Sequence, residues 1–134
     1  MSKMNPVVHF EMPADDSKRM ADFYTAAFGW QTQELGPEMG GYVMVTTTET
    51  DDNGLPQQPG AINGGFYKKT EEMPAQHPSL VIQVDDLEEA IQKVKQAGGH
   101  IVNEPDDIPG VGRFVYLADT EGNVVGMLQP SVMG

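Results

Sequence analysis

The sequence contains no cysteine among its 134 residues, which excludes a disulfide framework, a thiolate nucleophile and a thiolate metal site. It also lacks a run of about 18 apolar residues, the length that a membrane-spanning helix requires. The first residues, MSKMNPVVHF, have no long apolar segment of the kind found in a secretory signal. Together these absences predict a cytoplasmic protein, and the length predicts that residues 1–134 form a single domain.

Positive charge is scarce, because 8 lysines and arginines stand against 20 aspartates and glutamates, for a formal net charge of −12. Nucleic acids and anionic membrane surfaces are bound through cationic side chains that neutralise phosphate groups. We therefore expect neither a nucleic acid nor a membrane as a partner. The acidity is typical of a very soluble protein, and it favours neutral or cationic ligands.

The sequence does contain an internal repeat with an offset of 70 residues between His9 and Ser79. HFEMPADDSKRMADFYTAAFGW and SLVIQVDDLEEAIQKVKQAGGH each pass from an alternating strand through two aspartates into an amphipathic segment that ends at glycine. Asp16 and Asp86 are suitable N-cap residues, and glycine is the usual residue after the end of a helix. Each copy therefore predicts a strand followed by a helix.

Three further strand segments follow each helix. They lie around residues 30–35, 40–47 and 60–67 in the first half, and around 100–103, 112–119 and 122–129 in the second. The connector, residues 70–78, contains two prolines and separates module one (about 6–69) from module two (about 79–130). The sequence thus predicts an α+β fold of tandem βαβββ modules.

A tandem repeat of this size resembles the vicinal oxygen chelate superfamily, the glyoxalase, bleomycin-resistance and dioxygenase proteins. The segments VVHFEMPADD, FYTAAFGW, VIQVDDLEEAIQKVKQAGG and LADTEGNVVGMLQP carry the resemblance. PGAINGGFY and IPGVGRFVYLADTEGN are most similar to the branch related to lactoylglutathione lyase. The resemblance implies an open cup of mixed sheet with helices on its convex face and a small-molecule ligand on its concave face. It also implies a homodimer.

Metal-binding members of that superfamily place four ligands on the cup face, one from each of four strands. The first histidine falls on His9 and matches, but the second falls on Ser79. The carboxylate of the last strand falls on Gly126, and its counterpart in module one falls near residues 63–64, where no acid exists. Because only one of the four ligand positions is matched, we expect that no metal is bound as a cofactor. The incomplete match also argues against ordinary glyoxalase I and extradiol dioxygenase activity.

His9 and Glu11 are the candidate catalytic residues. Strand alternation places both on the cup face, with Phe10 between them directed to the helix. Such a pair suits proton abstraction next to a carbonyl group, whereas the alternative role is a buried histidine satisfied by a neighbouring carboxylate. A divalent metal held by His9 with Glu11 or His77 is disfavoured, because neither has the expected spacing.

The candidate ligand-binding residues are Ser79, Gln83, Arg113 and Gly126. Ser79 and Gln83 share the cup face of their strand, and Arg113 is either an anion contact or a solvent-exposed side chain. Gly126, like residues 64–65, either leaves volume for a bulky ligand or serves sheet curvature or a bulge.

Two functions remain open at this level. The first is a glyoxalase-related lyase or isomerase that acts on a small carbonyl compound without the usual metal site. The second is a non-catalytic protein of the bleomycin-resistance type that sequesters a small molecule or drug.

Overall fold

The computed structural model describes residues 4–131, in which nine strands and two α-helices give the predicted α+β fold. The elements in chain order are β1 (Val7–Ala14), α1 (Ser17–Phe28), β2 (Gln31–Glu34), β3 (Val43–Thr46), β4 (Asn63–Lys68), β5 (Ser79–Gln83), α2 (Leu87–Gln96), β6 (His100–Ile101), β7 (Asp106–Ile108), β8 (Gly112–Ala118) and β9 (Val124–Pro130). The tandem βαβββ order is confirmed, and β7 is a short additional strand that pairs with β8.

The chain divides into two compact units, and the second of the two boundaries lies between Pro78 and Ser79, at the end of the predicted connector. Within module one the strand order is β2-β3-β4-β1, and within module two it is β6-β8-β9-β5. The first and last strands of each module, β1 with β4 and β5 with β9, are parallel. The remaining neighbours are antiparallel, so the two modules have one topology.

Both helices begin at the predicted aspartates. The carboxylates of Asp16 and Asp86 accept hydrogen bonds from the backbone N–H groups three residues further on, at 3.0 and 3.2 Å. Gly29 follows α1 with a left-handed φ of 75°, whereas α2 ends at Gln96, slightly before Gly98. Among the described residues, no helix has the length and apolarity needed to cross a bilayer.

Helix α1 covers one face of the module-one sheet, as the strand alternation predicted. The buried residues there are Ala21, Val43, Val45 and Phe66, with Phe10, Met12, Met20, Tyr24 and Trp30 packed against them. Because Phe10 and Met12 point to the helix, His9 and Glu11 lie on the opposite face. We call the helix-free face of each sheet its open face.

Helix α2 covers the module-two sheet in the same way. Its buried cluster comprises Val84, Leu87, Ile91, Val115, Leu117 and Met127, with Ile82, Ala90, Val94, Ile101 and Val125 packed against it. Residues of alternate parity therefore occupy the open face of module two, among them Ser79, Val81 and Gly126.

Candidate functional site

The open face of module one carries a hydrogen-bonded chain of three side chains. Tyr42 Oη lies 3.0 Å from Nε2 of His9, and the Tyr42 hydroxyl donates to Oε2 of Glu11 at 3.2 Å. Glu11 is 9% exposed, and His9 and Tyr42 are partly buried. The structure thus brings the two predicted catalytic residues together through a tyrosine that the sequence analysis did not select.

Tyr42 is positioned by the turn that precedes β3. A 3-10 turn at Pro37–Met39 is followed by Gly40 and Gly41, whose φ angles of 68° and 73° are in the left-handed region that favours glycine. The Tyr42 N–H then donates to the carbonyl of Met39 at 3.3 Å. The turn therefore delivers the ring to the open face at the point where β3 begins.

The Tyr42 ring occupies the space that a side chain at Gly65 would need. Gly65 pairs with Glu11 across β1 and β4 and with Met44 across β3 and β4. A Cβ atom at Gly65 would collide with the Tyr42 hydroxyl and ring. A glycine at this position is thus required for Tyr42 to reach both His9 and Glu11.

Burial shifts the pKa values of titratable side chains on the open face of module one. It lowers the pKa of His9 to about 4, so the imidazole is neutral at physiological pH. Burial, followed by the charge of Glu11 and its hydrogen bond, raises the pKa of Tyr42 far above its ordinary value. Burial and the Glu11 charge also raise the pKa of Tyr67, on the same strand face as Gly65, to about 12. Neither tyrosine ionises at neutral pH.

Module two has the same ring-over-glycine arrangement with apolar residues. Val81 pairs with Gly126 across β5 and β9, and Tyr116 pairs with Gly126 across β8 and β9. The Phe114 ring lies where a side chain at Gly126 would project, with its Cε2 only 2.6 Å from that Cβ position. Phe114 also packs edge-on against Tyr116, with 4.8 Å between ring centroids. Phe114 is therefore the module-two equivalent of Tyr42.

Ser79, the module-two equivalent of His9, has an unsatisfied hydroxyl group. The residue is 7% exposed, and within the described residues its Oγ atom has no hydrogen-bond partner. A buried hydroxyl without a partner loses roughly 1–3 kcal/mol relative to water. Ser79 is thus a polar group that a ligand atom could satisfy.

The glycines leave no room for a ligand. Their side-chain space is filled by aromatic rings: Phe10 over Gly64, Tyr42 over Gly65 and Phe114 over Gly126. The pairing is also regular from one residue to the next at all three positions, so none of them is a bulge. Each of these glycines therefore accommodates a ring from a neighbouring residue, and its role in sheet curvature stays a prediction.

The structure does not bring Arg113 to the open face with Ser79 and Gln83. Its guanidinium donates to Glu88 of α2 at 2.8 Å and to Asp107 of β7 at 3.1 Å. It lies on the helix side of β8, because alternate residues of that strand belong to the core under α2. Arg113 is therefore a partly exposed side chain that is ion-paired with two carboxylates.

The residues at the family's metal-ligand positions do not form a donor set for a divalent ion. Module one supplies His9 and Gly65, and module two supplies Ser79 and Gly126. Gly65, opposite Glu11, is the true counterpart of Gly126 and replaces the predicted residues 63–64. In the described part of the chain, no three histidine, aspartate or glutamate side chains are grouped to hold a metal ion. These side chains therefore do not fit the metal of the superfamily.

Two open grooves lie elsewhere in module one. The larger, of about 660 Å³, is lined mainly by the ends of β1 and β2 and by Gly36, Gly40 and Gly41. The other, of about 520 Å³, is lined largely by threonines 46–48 and 50. Neither includes His9 or Glu11, and neither has a buried titratable group, so the hydrogen-bonded chain is the better candidate site.

Tyr42 can be recognised in the sequence when the two modules are aligned. GGYVMV at residues 40–45 and GRFVYL at residues 112–117 both place an aromatic residue two positions after glycine and before valine. The match gives Tyr42 and Phe114 as equivalents. Strand prediction alone treats both as ordinary β-forming residues.

Known proteins match the chain over nearly its whole length. Residues 7–127 match the model of the Glyoxalase/Bleomycin resistance protein/Dioxygenase superfamily. A glyoxylase-like domain-containing protein of Didymella fabae is 34% identical over 116 residues, covering 84% of each chain. Anthracycline biosynthesis protein DnrV of Streptomyces peucetius is 29% identical over 140 residues, covering 92% of this chain but only 46% of DnrV. The chain thus spans less than half of DnrV.

Solved structures share the fold at low sequence identity. A hypothetical protein of Bacillus halodurans, BH1468, has a TM-score of 0.68 and 18% identity, covering 98% of this chain and 99% of that one. Methylmalonyl-CoA epimerase from Mycobacterium tuberculosis has a TM-score of 0.66 and 15% identity, covering 94% and 88%. The family match and the shared fold agree with the sequence resemblance. The chain therefore belongs to the glyoxalase, bleomycin-resistance and dioxygenase superfamily.

Proposed function

We propose that this protein binds a small organic molecule at the open face of module one, through His9, Tyr42 and Glu11 and without a metal cofactor. The observation that carries the proposal is the hydrogen-bonded chain of these three side chains on a sheet face without a helix. Contacting titratable groups with perturbed pKa values are concentrated at binding and catalytic sites.

The reaction class that suits these three hydrogen-bonded side chains is proton transfer, as in an isomerase or lyase that acts next to a carbonyl group. A neutral imidazole accepts a proton, and a tyrosine hydroxyl both donates and accepts hydrogen bonds. The names of similar proteins select compounds for a test. They are methylmalonyl-CoA, an anthracycline and bleomycin.

The test is a calorimetric binding screen with these three compounds and with methylglyoxal plus glutathione. For a compound that binds, His9→Ala should weaken binding at least tenfold, about 1.4 kcal/mol, because it removes a polar contact. His100→Ala is the matched control, since His100 is exposed on β6. Equal affinities for the wild type and both variants would contradict this location. Failure of all four compounds to bind would contradict these ligand classes.

A second candidate function is sequestration of an apolar molecule without turnover. The open face of module two supports it, because Phe114 there is a partly exposed apolar ring that cannot transfer a proton. Ser79 and Gln83 are the ligand contacts in this proposal, whereas the space at Gly126 is filled by the Phe114 ring. Recovery of the bound compound unchanged would favour it, as would weaker binding in Phe114→Ala with none in His9→Ala.

A homodimer and a cytoplasmic location belong to the same proposal. The family resemblance supports the first, and the acidic, cysteine-free composition supports the second. Light scattering from the purified protein tests the homodimer. A mass of two chains would agree with it, and a mass of one chain would contradict it.

A further inference from the structure

The hydrogen-bonded chain on module one has a fixed direction. An ionised carboxylate only accepts hydrogen bonds, so the single proton of the Tyr42 hydroxyl is directed to Oε2 of Glu11. The Tyr42 oxygen is then left to accept from Nε2 of His9, at 3.0 Å. A neutral imidazole has one N–H group, and this bond assigns it to Nε2.

The other ring nitrogen of His9 follows from that assignment. With the proton on Nε2, Nδ1 carries a lone pair and is a hydrogen-bond acceptor. Across the described residues, Nδ1 has no hydrogen-bond partner. The imidazole thus presents an unused basic atom at one end of the chain, while Glu11 lies at the other.

We propose that Nδ1 of His9 is the atom that takes a proton from the ligand, and that Tyr42 is a positioning residue that passes a proton on to Glu11. This inference deepens the proposed function and depends on a ligand binding at His9. Tyr42 is suited to the role because its ring is held over Gly65, which lacks the side chain that would displace it.

The transfer balances in atoms and charge. The ligand donor X–H gives its proton to Nδ1, and X keeps the electron pair. The proton on Nε2 moves to the Tyr42 oxygen, and the Tyr42 proton moves to Oε2 of Glu11. Both hydrogen bonds reverse direction, the imidazole and the phenol stay neutral, and the negative charge passes from Glu11 to X.

Burial explains why a relay suits this site better than simple protonation of His9. Protonation of the imidazole alone is disfavoured, because burial lowers its pKa to about 4. The relay avoids an imidazolium ion. It also restricts the ligand to molecules that offer a proton to Nδ1, namely an O–H, an N–H or an acidic C–H beside a carbonyl. The net charge of −12 favours neutral members of this class.

The decisive experiment is ¹⁵N NMR of the histidine-labelled 134-residue chain at neutral pH, which identifies the protonated ring nitrogen of His9. The relay predicts one tautomer, with the proton on Nε2. Tyr42→Phe should abolish that preference, because it keeps the ring over Gly65 but removes the acceptor. Tyr67→Phe is the matched control, since the Tyr67 hydroxyl bonds the backbone carbonyl of Ala75, and it should leave the tautomer unchanged.

A proton on Nδ1 in the wild type would overturn the relay, because Nδ1 could not then accept. An unchanged tautomer in Tyr42→Phe would overturn the positioning role of Tyr42. The wild-type result needs no variant to fold and no ligand. Failure of the binding screen would count against the proposed function while leaving the tautomer as measured, so the two failures are distinguishable.

Discussion

The two modules have one topology, yet they use four equivalent positions in opposite ways. Gly65 opposite Glu11 and Gly126 opposite Val81 define the equivalence through the strand register. Module one has His9, Glu11, Tyr42 and Gly65 where module two has Ser79, Val81, Phe114 and Gly126. The first set forms a polar chain, and the second is apolar apart from one unsatisfied hydroxyl.

This difference shows which of the four positions serve the packing of the fold and which carry polar groups that the fold does not require. An aromatic ring fills the space beside a glycine in both modules, so the ring and glycine are part of the packing. At the four equivalent positions, the tyrosine hydroxyl, the imidazole and the carboxylate occur only in module one. Module two folds without them, and burying polar groups is unfavourable unless they are paired. The polar chain is therefore the feature to examine for function.

The largest effect is expected when the carboxylate of module one is copied into module two. Val81→Glu should lower the free energy of unfolding by at least about 3 kcal/mol, because position 81, 2% exposed, has no hydroxyl partner on Phe114. Adding Phe114→Tyr should restore part of the loss. Chemical denaturation measures both.

Leu80→Glu is the control for that substitution. Leu80 is the exposed neighbour on β5, and a surface substitution changes stability by no more than about 0.5 kcal/mol. A similar loss in both variants, or no rescue by Phe114→Tyr, would show that the modules do not differ in the way described.

Acid should destabilise module one through His9. Its equivalent in module two, Ser79, does not titrate. The pKa of His9 is about 4 in the folded state and 6.5 in the unfolded state, so the unfolded state binds more protons between these values. Stability should therefore fall as pH drops from 6.5 to 4, by about 3 kcal/mol from His9. Carboxylates titrate in the same range, so the comparison is with His9→Gln, which should show a smaller fall. Parallel pH profiles would contradict the assignment.

Removing the Tyr42 hydroxyl should have an intermediate effect on the free energy of unfolding. Tyr42→Phe gives module one the ring of module two and leaves Glu11 without that bond, so we expect a loss of about 1–3 kcal/mol in unfolding free energy. The double variant Glu11→Val, Tyr42→Phe should be more stable than Tyr42→Phe alone, because it removes the buried carboxylate that Tyr42→Phe deprives of this hydrogen bond. A larger loss in the double variant would contradict this account.

The smallest effect is expected in module two. Ser79→Ala removes a buried hydroxyl that has no partner among the described residues. We expect stability to be unchanged or raised by up to about 1 kcal/mol. A loss above this size in thermal or chemical denaturation would mean that the hydroxyl has a partner in solution.

Much of the fold could be predicted because its signals are local. Asp16 and Asp86 cap the helices through bonds to nearby backbone groups, and strand alternation directs Phe10 to one face and Glu11 to the other. The short strand β7 was not predicted. Its sequence, DDI, has no strand signal, and it forms by pairing with β8.

The candidate site could be predicted only in part. His9 and Glu11 lie on one strand face, so alternation was enough to associate them. Tyr42 is 31 residues from Glu11, and its position depends on strand pairing and on the glycine turn before β3. Arg113 was proposed as an anion contact, whereas Glu88 and Asp107 engage it on the helix side. Neither partner is near enough in sequence to be inferred from spacing.

The sequence by itself determined the α+β class, the two βαβββ modules, the helix caps and the face on which each strand residue lies. These follow from hydrogen bonds and periodicities that span a few residues. Only the tertiary structure decided that Tyr42 lies over Gly65, that Phe114 lies over Gly126, and that one hydroxyl connects His9 with Glu11. Those contacts join strands separated by loops of unequal length, so they are set by strand register and by the close packing of rings into space that glycine leaves.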